Sequence, residues 1–196
     1  MDNKYQVIAL MGKSGAGKDT IAQETLRAHP DLFHPVVTCT TRPPRENEEN
    51  GVDYYFLTPE EFLSKSVKGE FIEAKEFRGW FYGTPISSFD KNKVNLCIVT
   101  PSGARDLLAR EELNVMVVYV ICDARTRLMR ALNRESKVDC NEICRRYFAD
   151  EEDFANLDFD TYILDNNEKV DPASLDLLHD NNSLSHMIMN LHKAIG

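Results

Sequence analysis

The chain has 196 residues, with 23 lysines and arginines against 32 aspartates and glutamates, so its formal net charge is −9. An acidic chain does not suit the phosphate backbone of nucleic acids, and no nucleic-acid partner is expected. Its 42% hydrophobic and 28% charged residues are typical of a globular protein that is long enough to bury one core. The longest apolar run, residues 115–122, is far shorter than the ~20 residues of a membrane-spanning helix, so no membrane association is expected.

The N-terminus and the cysteines predict a cytoplasmic protein with free thiols. Residues 1–5 are polar and lack the basic and then apolar layout of a secretory signal. The five cysteines are an odd number at irregular spacing, and a chain of this length does not need disulfides. The sequence is compatible with a monomer or a homodimer.

The first predicted element is a buried strand at residues 5–11, which are apolar and followed at once by a glycine-rich turn. A helix is expected to begin at Lys18. Residues 35–39 form a second short apolar segment. The chain then becomes polar, proline-bearing and charged over residues 41–50, which interrupts the main sheet.

Residues 51–89 have a different pattern, which predicts a small mixed insertion. Its predicted elements are strands at 54–57 and 71–77, a helix at 59–68 and a turn at Arg78 and Gly79.

Apolar strands and helices alternate again in the second half of the chain. Strands are predicted at residues 96–100, 115–122 and 162–164, and helices at 101–112, 123–133, 139–156 and near 183–194. This alternation favours parallel pairing with right-handed connections, and so predicts an α/β fold with a doubly wound parallel sheet.

A phosphate-binding loop follows the first strand directly and leads into the first helix. Its glycines let backbone N–H groups turn inward around an anion, the helix N-terminus adds its positive end, and a lysine supplies charge for the outer phosphates. The predicted nucleotide-binding residues are Gly12, Lys13, Ser14, Gly15, Ala16, Gly17, Lys18, Asp19 and Thr20.

The position after the loop lysine departs from the usual motif. A serine or threonine normally places its hydroxyl on Mg²⁺ there, whereas this chain has Asp19, with Thr20 one place later. Carboxylate oxygens suit Mg²⁺, so Asp19 is predicted to bind the metal; the alternative is a structural cap at the start of the helix.

Two arginines three positions apart, Arg42 and Arg45, flank a pair of prolines, and a tyrosine follows at position 54. Two guanidiniums suit one phosphate, although a solvated arginine loop explains this stretch alone equally well. Together with Phe71-Ile72-Glu73 and Tyr82-Gly83-Thr84, the loop and these arginines resemble guanylate kinases. The resemblance extends from Val7 to about Asn166.

The resemblance implies one domain of the P-loop NTPase type. Its core would comprise residues 1–40, 91–124 and 160–196, with a small α+β nucleotide-binding insertion at 41–90 and a helical lid at 125–159. The implied activity is transfer of the γ-phosphate of ATP to GMP or dGMP, with ATP and Mg²⁺ as cofactors.

The resemblance also assigns the acceptor site. It implies that the phosphate of GMP is held by Arg42, Arg45, Tyr54 and Tyr82, and that guanine is bound by Thr38, Glu73, Thr84 and Ser102. Glu73 is the most informative of these residues, because a carboxylate accepts hydrogen bonds from N1–H and the amino group of guanine, whereas adenine has a bare N1.

The chain departs from the family after the strand at 96–100. Thr100 and Ser102 stand where the family usually has aspartates aimed at Mg²⁺ and guanine. Together with Asp19, this suggests the hypothesis that the metal-supporting carboxylate has moved to the phosphate loop.

Arginines are concentrated in the predicted lid. By resemblance, the catalytic residues would be Lys18, Arg130, Arg134, Arg145 and Arg146. The alternative is a solvated basic helix paired with the acidic residues 151–153. The resemblance also points to residues 165–167 as neighbours of adenine.

Two other functions remain open. The first is a kinase of the same fold with another acceptor, either a different nucleoside monophosphate or a ribose bisphosphate, which the unusual Asp19 and the missing aspartates would allow. The second is a non-catalytic binding module, which Lys18 and the lid arginines argue against.

Overall fold

The structure is a computed structural model that describes residues 4–44, 48–77, 79–134 and 139–167, without the side chains of Phe77 and Arg134. The described chain forms two compact units. The first contains residues up to 10 and residues 19–117, and the second contains residues 11–18 and those from 118 onward.

Nine strands and five α-helices are found among the described residues. The strands are β1 (Tyr5–Met11), β2 (Phe33–Pro35), β3 (Cys39–Thr40), β4 (Tyr55–Phe56), β5 (Phe71–Phe77), β6 (Trp80–Pro85), β7 (Val94–Ile98), β8 (Leu113–Ile121) and β9 (Tyr162–Asp165). The helices are α1 (Lys18–Ala28), α2 (Pro59–Val67), α3 (Pro101–Leu108), α4 (Ala124–Arg134) and α5 (Cys140–Asp153).

The first unit contains a parallel sheet in the order β2-β7-β1. The central residues of β1 are all buried, as expected for a parallel strand that is covered on both faces. The strand predicted at residues 5–11 and the helix predicted to begin at Lys18 are both confirmed. Both could be predicted because an apolar run and a glycine-rich loop are strong local signals.

A second, mixed sheet of the first unit has the order β4-β3-β6-β5. Strands β5 and β6 form an antiparallel hairpin around Gly79, whose φ of 77° favours glycine. The ring of Phe62 on α2 stacks on Phe71 at 4.6 Å and on Phe81 at 5.4 Å between ring centres. This aromatic cluster fixes the hairpin against α2.

Two helices of the first unit begin at threonine caps. The side chain of Thr58 accepts the backbone N–H of Glu61, whose carboxylate accepts the N–H of Thr58 in return, before α2. The side chain of Thr100 caps α3 by accepting the backbone N–H of Gly103, and Pro101 is the first residue of this helix. Helix α3 ends at Leu108, four residues earlier than predicted, because turns of the backbone lead from there into β8.

In the second unit, β8 and β9 pair in parallel, from Val118 opposite Tyr162 to Ile121 opposite Asp165. Helices α4 and α5 contact each other. The predicted strands and helices of this region are confirmed, and their ends differ from the predicted ones by at most three residues. The helix predicted near 183–194 lies outside the described residues.

The fold is therefore of the α/β class with parallel pairing, as the sequence predicts. Strand β6 was not predicted, because Gly83 and Pro85 disguise its pattern; a Cβ at Gly83 would lie 3.0 Å from the Phe62 ring. None of the helices that the structure describes is long and apolar enough to cross a membrane.

All five cysteines are free, as predicted. Burial raises the pKa of the Cys39 thiol to about 11 and that of Cys97 to about 12. These two thiols stay protonated at neutral pH and are poor nucleophiles.

Candidate active site

The phosphate loop has the backbone conformation that its glycines allow. Gly15 and Gly17 have φ values of 79° and 93°, in the left-handed region. A Cβ at Gly12 would lie 2.5 Å from the carbonyl oxygen of Val120, and one at Gly15 would lie 2.6 Å from that of Arg127. The loop is therefore a cradle that larger residues at these positions would distort.

Two side chains brace the loop through its carbonyl groups. Arg130 donates from Nη1 to the carbonyl oxygen of Gly15 at 3.3 Å, and Asn166 donates from Nδ2 to that of Ala16 at 2.7 Å. Arg130 also donates from Nη2 to the carbonyl oxygen of Asn166 at 3.2 Å. Both side chains bind carbonyl oxygens of the loop, whereas a phosphate binds backbone N–H groups. These contacts therefore hold the loop in place without occupying its N–H donors.

Two carboxylates of α5 bind the anion-binding groups of the same loop. The backbone N–H of Ser14 donates to Asp150 Oδ2 at 2.5 Å, and Lys13 Nζ lies 2.5 Å from Glu151 Oε2. The hydrogen bond from Lys13 lowers the pKa of Glu151, against the opposing effect of its partial burial. The carboxylates occupy donors that the sequence assigns to nucleotide phosphates, and neither was singled out from the sequence for this role.

Arg127 joins α4 to α5 from a buried position. Its exposed fraction is 4%, its Nη2 donates to Glu151 at 3.0 Å, and its guanidinium lies 5.0 Å from the ring centre of Tyr147. Within the described part of the chain, its Nε and Nη1 are buried without a hydrogen-bond partner. Lys13, Glu151 and Arg127 thus form one charged cluster.

The predicted lid arginines have different partners in the structure. Arg130 contacts the phosphate loop, as described above. Arg145 and Arg146 instead pair with Glu142 of their own helix, with Nε to carboxylate distances of 2.6 and 2.8 Å. Arg134 is the last residue of α4, and its side chain lies outside the described part.

Asp19 and Thr20 are exposed in the first turn of α1, directly after the loop. Helix α1 begins at Lys18, so Asp19 does not take the cap position itself. No cluster of three or more potential metal ligands is found among the described residues. Mg²⁺ needs only one or two carboxylates when phosphates complete its coordination, so Asp19 fits such an ion.

Three of the four residues predicted to bind the acceptor phosphate, Arg42, Tyr54 and Tyr82, lie close together in the first unit. The fourth, Arg45, lies outside the described residues. The guanidinium of Arg42 lies 5.4 Å from the ring centre of Tyr54, whose ring is 6.3 Å from that of Tyr82. Arg42 Nη2 also donates to both carboxylate oxygens of Glu48, at 2.8 and 2.9 Å. Glu48 is a partner that the sequence did not reveal.

Glu73 and Thr84 face each other across β5 and β6. Thr84 donates from Oγ1 to Glu73 Oε1 at 2.7 Å, and the Glu73 side chain is 13% exposed. Its other oxygen, Oε2, is buried and accepts no hydrogen bond from any described residue. Thr38 precedes β3, where its carbonyl group accepts the N–H of Tyr55.

Lys75 is a member of this cluster that sequence reasoning missed. Its Nζ lies 2.9 Å from Ser102 Oγ, 3.4 Å from Thr100 Oγ1 and 4.0 Å from Glu73 Oε2. Side chains alternate along a strand, so residues 73 and 75 share a face, and this spacing was the available signal. Ser102, predicted to bind the base, here holds Lys75.

Thr100 has a structural role at the start of α3. Its Oγ1 accepts the backbone N–H of Gly103 at 3.2 Å. A threonine followed by proline is a common helix start, and this role accounts for a hydroxyl where the resemblance suggested a metal-binding acid.

Comparisons with known proteins agree with these features. The family model described as guanylate kinase matches residues 4–191. The guanylate kinase of Trichormus variabilis is 33% identical over 138 residues, which cover 67% of this chain and 69% of that protein. The guanylate kinase of Nostoc sp. is 39% identical over 106 residues, which cover 52% and 53%. The crystal structure of guanylate kinase from Anaplasma phagocytophilum matches 97% of this chain and 86% of that chain, with a TM-score of 0.60 at 23% identity, and thus shares its fold.

Proposed function

The chain belongs to the guanylate kinase family, and from this premise we propose that it transfers the γ-phosphate of ATP to GMP or dGMP, giving ADP and GDP or dGDP. The observation that carries the proposal is the state of Glu73. One of its oxygens is held by Thr84, and the other is buried with no hydrogen-bond donor among the described residues.

This carboxylate would select guanine over adenine. Guanine presents N1–H and an amino group to an acceptor, whereas adenine presents a bare N1 on the same edge. A buried acceptor left without a partner costs roughly 1–3 kcal/mol, so a base that supplies the donor is favoured over one that cannot.

The arginine and tyrosine group would bind the phosphate of the acceptor. A guanidinium matches the geometry of a phosphate, and tyrosine hydroxyls add neutral donors. Glu48 would hold the Arg42 guanidinium in place beside Tyr54, so that it is oriented before the acceptor binds. Arg45 would supply the second guanidinium.

The phosphate loop would bind ATP, with Lys18 at the transferring group. Phosphoryl transfer needs positioning and neutralisation of charge more than covalent help from the protein. Arg130 would keep the loop in shape, while Arg134, Arg145 and Arg146 would neutralise charge as the lid closes and excludes water. Mg²⁺, when bound, neutralises charge on the phosphate oxygens, and Asp19 is the residue that would hold it.

The organisation into a core, an insertion at 41–90 and a lid at 125–159 belongs to the same proposal. Five free thiols fit a reducing compartment, which supports a cytoplasmic location.

A substrate panel tests the proposal directly. ADP release would be measured with ATP and Mg²⁺ against GMP, dGMP, AMP, CMP, UMP, dTMP and ribose 1,5-bisphosphate. We expect activity with GMP and dGMP alone. Activity confined to another acceptor would identify a kinase with a different substrate, and no activity while ATP still binds would identify a binding module.

A further inference from the structure

We propose that Lys75 determines base specificity by donating a hydrogen bond to the oxygen at position 6 of the acceptor purine. The inference rests on the proposed function, since it concerns the base of the same acceptor. It adds a residue that neither the motifs nor the sequence pattern had assigned.

The hairpin of β5 and β6 presents one continuous polar face. Glu73 lies opposite Thr84, and Lys75 lies opposite Tyr82. Directly opposite residues in an antiparallel pair project from the same face, and alternation along β5 adds residues 73 and 75 to it. Lys75 therefore shares its face with three residues that are predicted to bind the acceptor.

The position of the ammonium group is fixed from the side of α3. Nζ lies 2.9 Å from Ser102 Oγ and 3.4 Å from Thr100 Oγ1, and the second of these hydroxyls is itself held as the cap of α3. An ammonium has three N–H donors, so two hydroxyl partners leave one donor for a ligand.

A donor and an acceptor thus lie side by side. Lys75 Nζ is 4.0 Å from Glu73 Oε2, which is too long for a hydrogen bond between them but places them next to each other. The edge of guanine carries the complementary pair, an acceptor at O6 beside a donor at N1–H. Adenine carries the reverse pair, with its amino group where the lysine would donate and its bare N1 where the carboxylate would accept.

The simpler alternative is that Lys75 only forms an ion pair with Glu73, whose side chain is 13% exposed. The Lys75 side chain is 34% exposed and also lies 4.0 Å from Asp106. An ion pair with no further role would be indifferent to the atom at position 6 of a bound base. The two possibilities therefore differ in a measurable way.

The test compares GMP with 6-thio-GMP, in which sulfur, a weak acceptor, replaces O6. Lys75→Met keeps the apolar stem and removes the donors. We expect kcat/KM for GMP to fall about 10- to 100-fold, the range for losing a charged hydrogen bond, and kcat/KM for 6-thio-GMP to fall several-fold less. Lys75→Arg keeps a cationic donor and should recover most of the preference for GMP.

Lys68→Met is the matched control, since Lys68 is an exposed lysine that follows the last residue of α2. It should leave both substrates unchanged. Unfolding temperatures of all variants separate loss of recognition from loss of folding.

Calorimetric binding of GMP, 6-thio-GMP and guanosine tests the same contact without phosphoryl transfer. Equal losses for GMP and 6-thio-GMP, or an unchanged affinity for GMP, would overturn the role of Lys75. A loss seen with GMP but not with guanosine would overturn it as well, since it would assign Lys75 to the phosphate. A wild-type protein that binds GMP but releases no ADP would contradict the proposed function alone, and one that does not bind GMP would contradict both.

Discussion

The phosphate loop and the β5–β6 hairpin satisfy their polar groups in opposite ways. In the loop, the donors of Lys13 and Ser14 already bind carboxylates from α5. On the hairpin, the buried Glu73 Oε2 accepts no hydrogen bond within the described chain. A phosphate that binds at Lys13 and Ser14, as proposed, would therefore replace an internal partner, whereas a base that binds at the hairpin would add a missing one. The first arrangement would lower affinity for anions in general, and the second would favour one particular base.

The largest expected effect is the loss of turnover when the phosphate loop is changed and the hairpin is left intact. Lys18→Met removes the charge that is proposed to accompany the transferring phosphate, and loss of such stabilisation should lower kcat by about 10³-fold. GMP binding on the hairpin, measured by calorimetry, should stay as in the wild type. Lys91→Met serves as the control for a general loss of positive charge. A variant that keeps its turnover would exclude Lys18 from the reaction.

The converse change disables the hairpin. Glu73→Gln replaces the orphan acceptor with an amide, and kcat/KM for GMP should fall about 30-fold, as a loss of about 2 kcal/mol implies. Glu76→Gln changes a residue on the opposite face of β5 and should have little effect. Steady-state ADP release with GMP measures both variants, and equal losses in Glu73→Gln and Glu76→Gln would argue against base reading by Glu73.

Asp19 tests whether metal binding belongs to the loop. Asp19→Ala should raise the Mg²⁺ concentration needed for half-maximal rate by about 10-fold, because a charged ligand is lost. Titration of the rate with Mg²⁺ at saturating ATP gives this value, with the exposed Asp31→Ala as control. An unchanged Mg²⁺ dependence and turnover would contradict the idea that the metal carboxylate has moved there.

Removing the charge of Asp150, which accepts the backbone N–H of Ser14, should tighten nucleotide binding. Asp150→Asn removes the charge that ATP has to displace from the Ser14 N–H, so the Kd for ATP should fall about three- to tenfold. Asp153→Asn, near the end of the same helix, is the control. Binding of ATP that is unchanged or weaker would show that the Asp150 contact does not compete with phosphate.

The smallest effect concerns pH. Lys13 lowers the pKa of Glu151, so this pairing stabilises the fold above the usual carboxyl pKa and is lost as the pH falls through the lowered value. Glu151 is 41% exposed, so the contribution should not exceed about 1 kcal/mol. The unfolding temperature of Glu151→Gln should be lower than that of the wild type at pH 7 and should approach it at pH 3. A constant difference would contradict this origin.

Features that rest on neighbouring residues could be predicted from the sequence. The first strand, the glycine loop and the start of α1 follow from an apolar run and a motif within 20 positions. Contacts between distant residues could not: Asp150 and Ser14 are 136 positions apart, and Lys75 meets Ser102 across 27. Glu73 and Thr84 were found because the resemblance placed them together, and the hairpin register explains why.

The two carboxylates of α5, Asp150 and Glu151, would compete with any anion that binds at Ser14 or Lys13. Because Asp150 and Glu151 belong to the same chain as the loop, their effective concentration at the loop does not change when the protein is diluted. A single small anion such as chloride or phosphate would seldom displace both of them, whereas the proposed triphosphate ligand, which would make several contacts at once, would do so. The loop would therefore discriminate against simple inorganic anions. Raising the ionic strength, which screens exposed ion pairs, would weaken this discrimination.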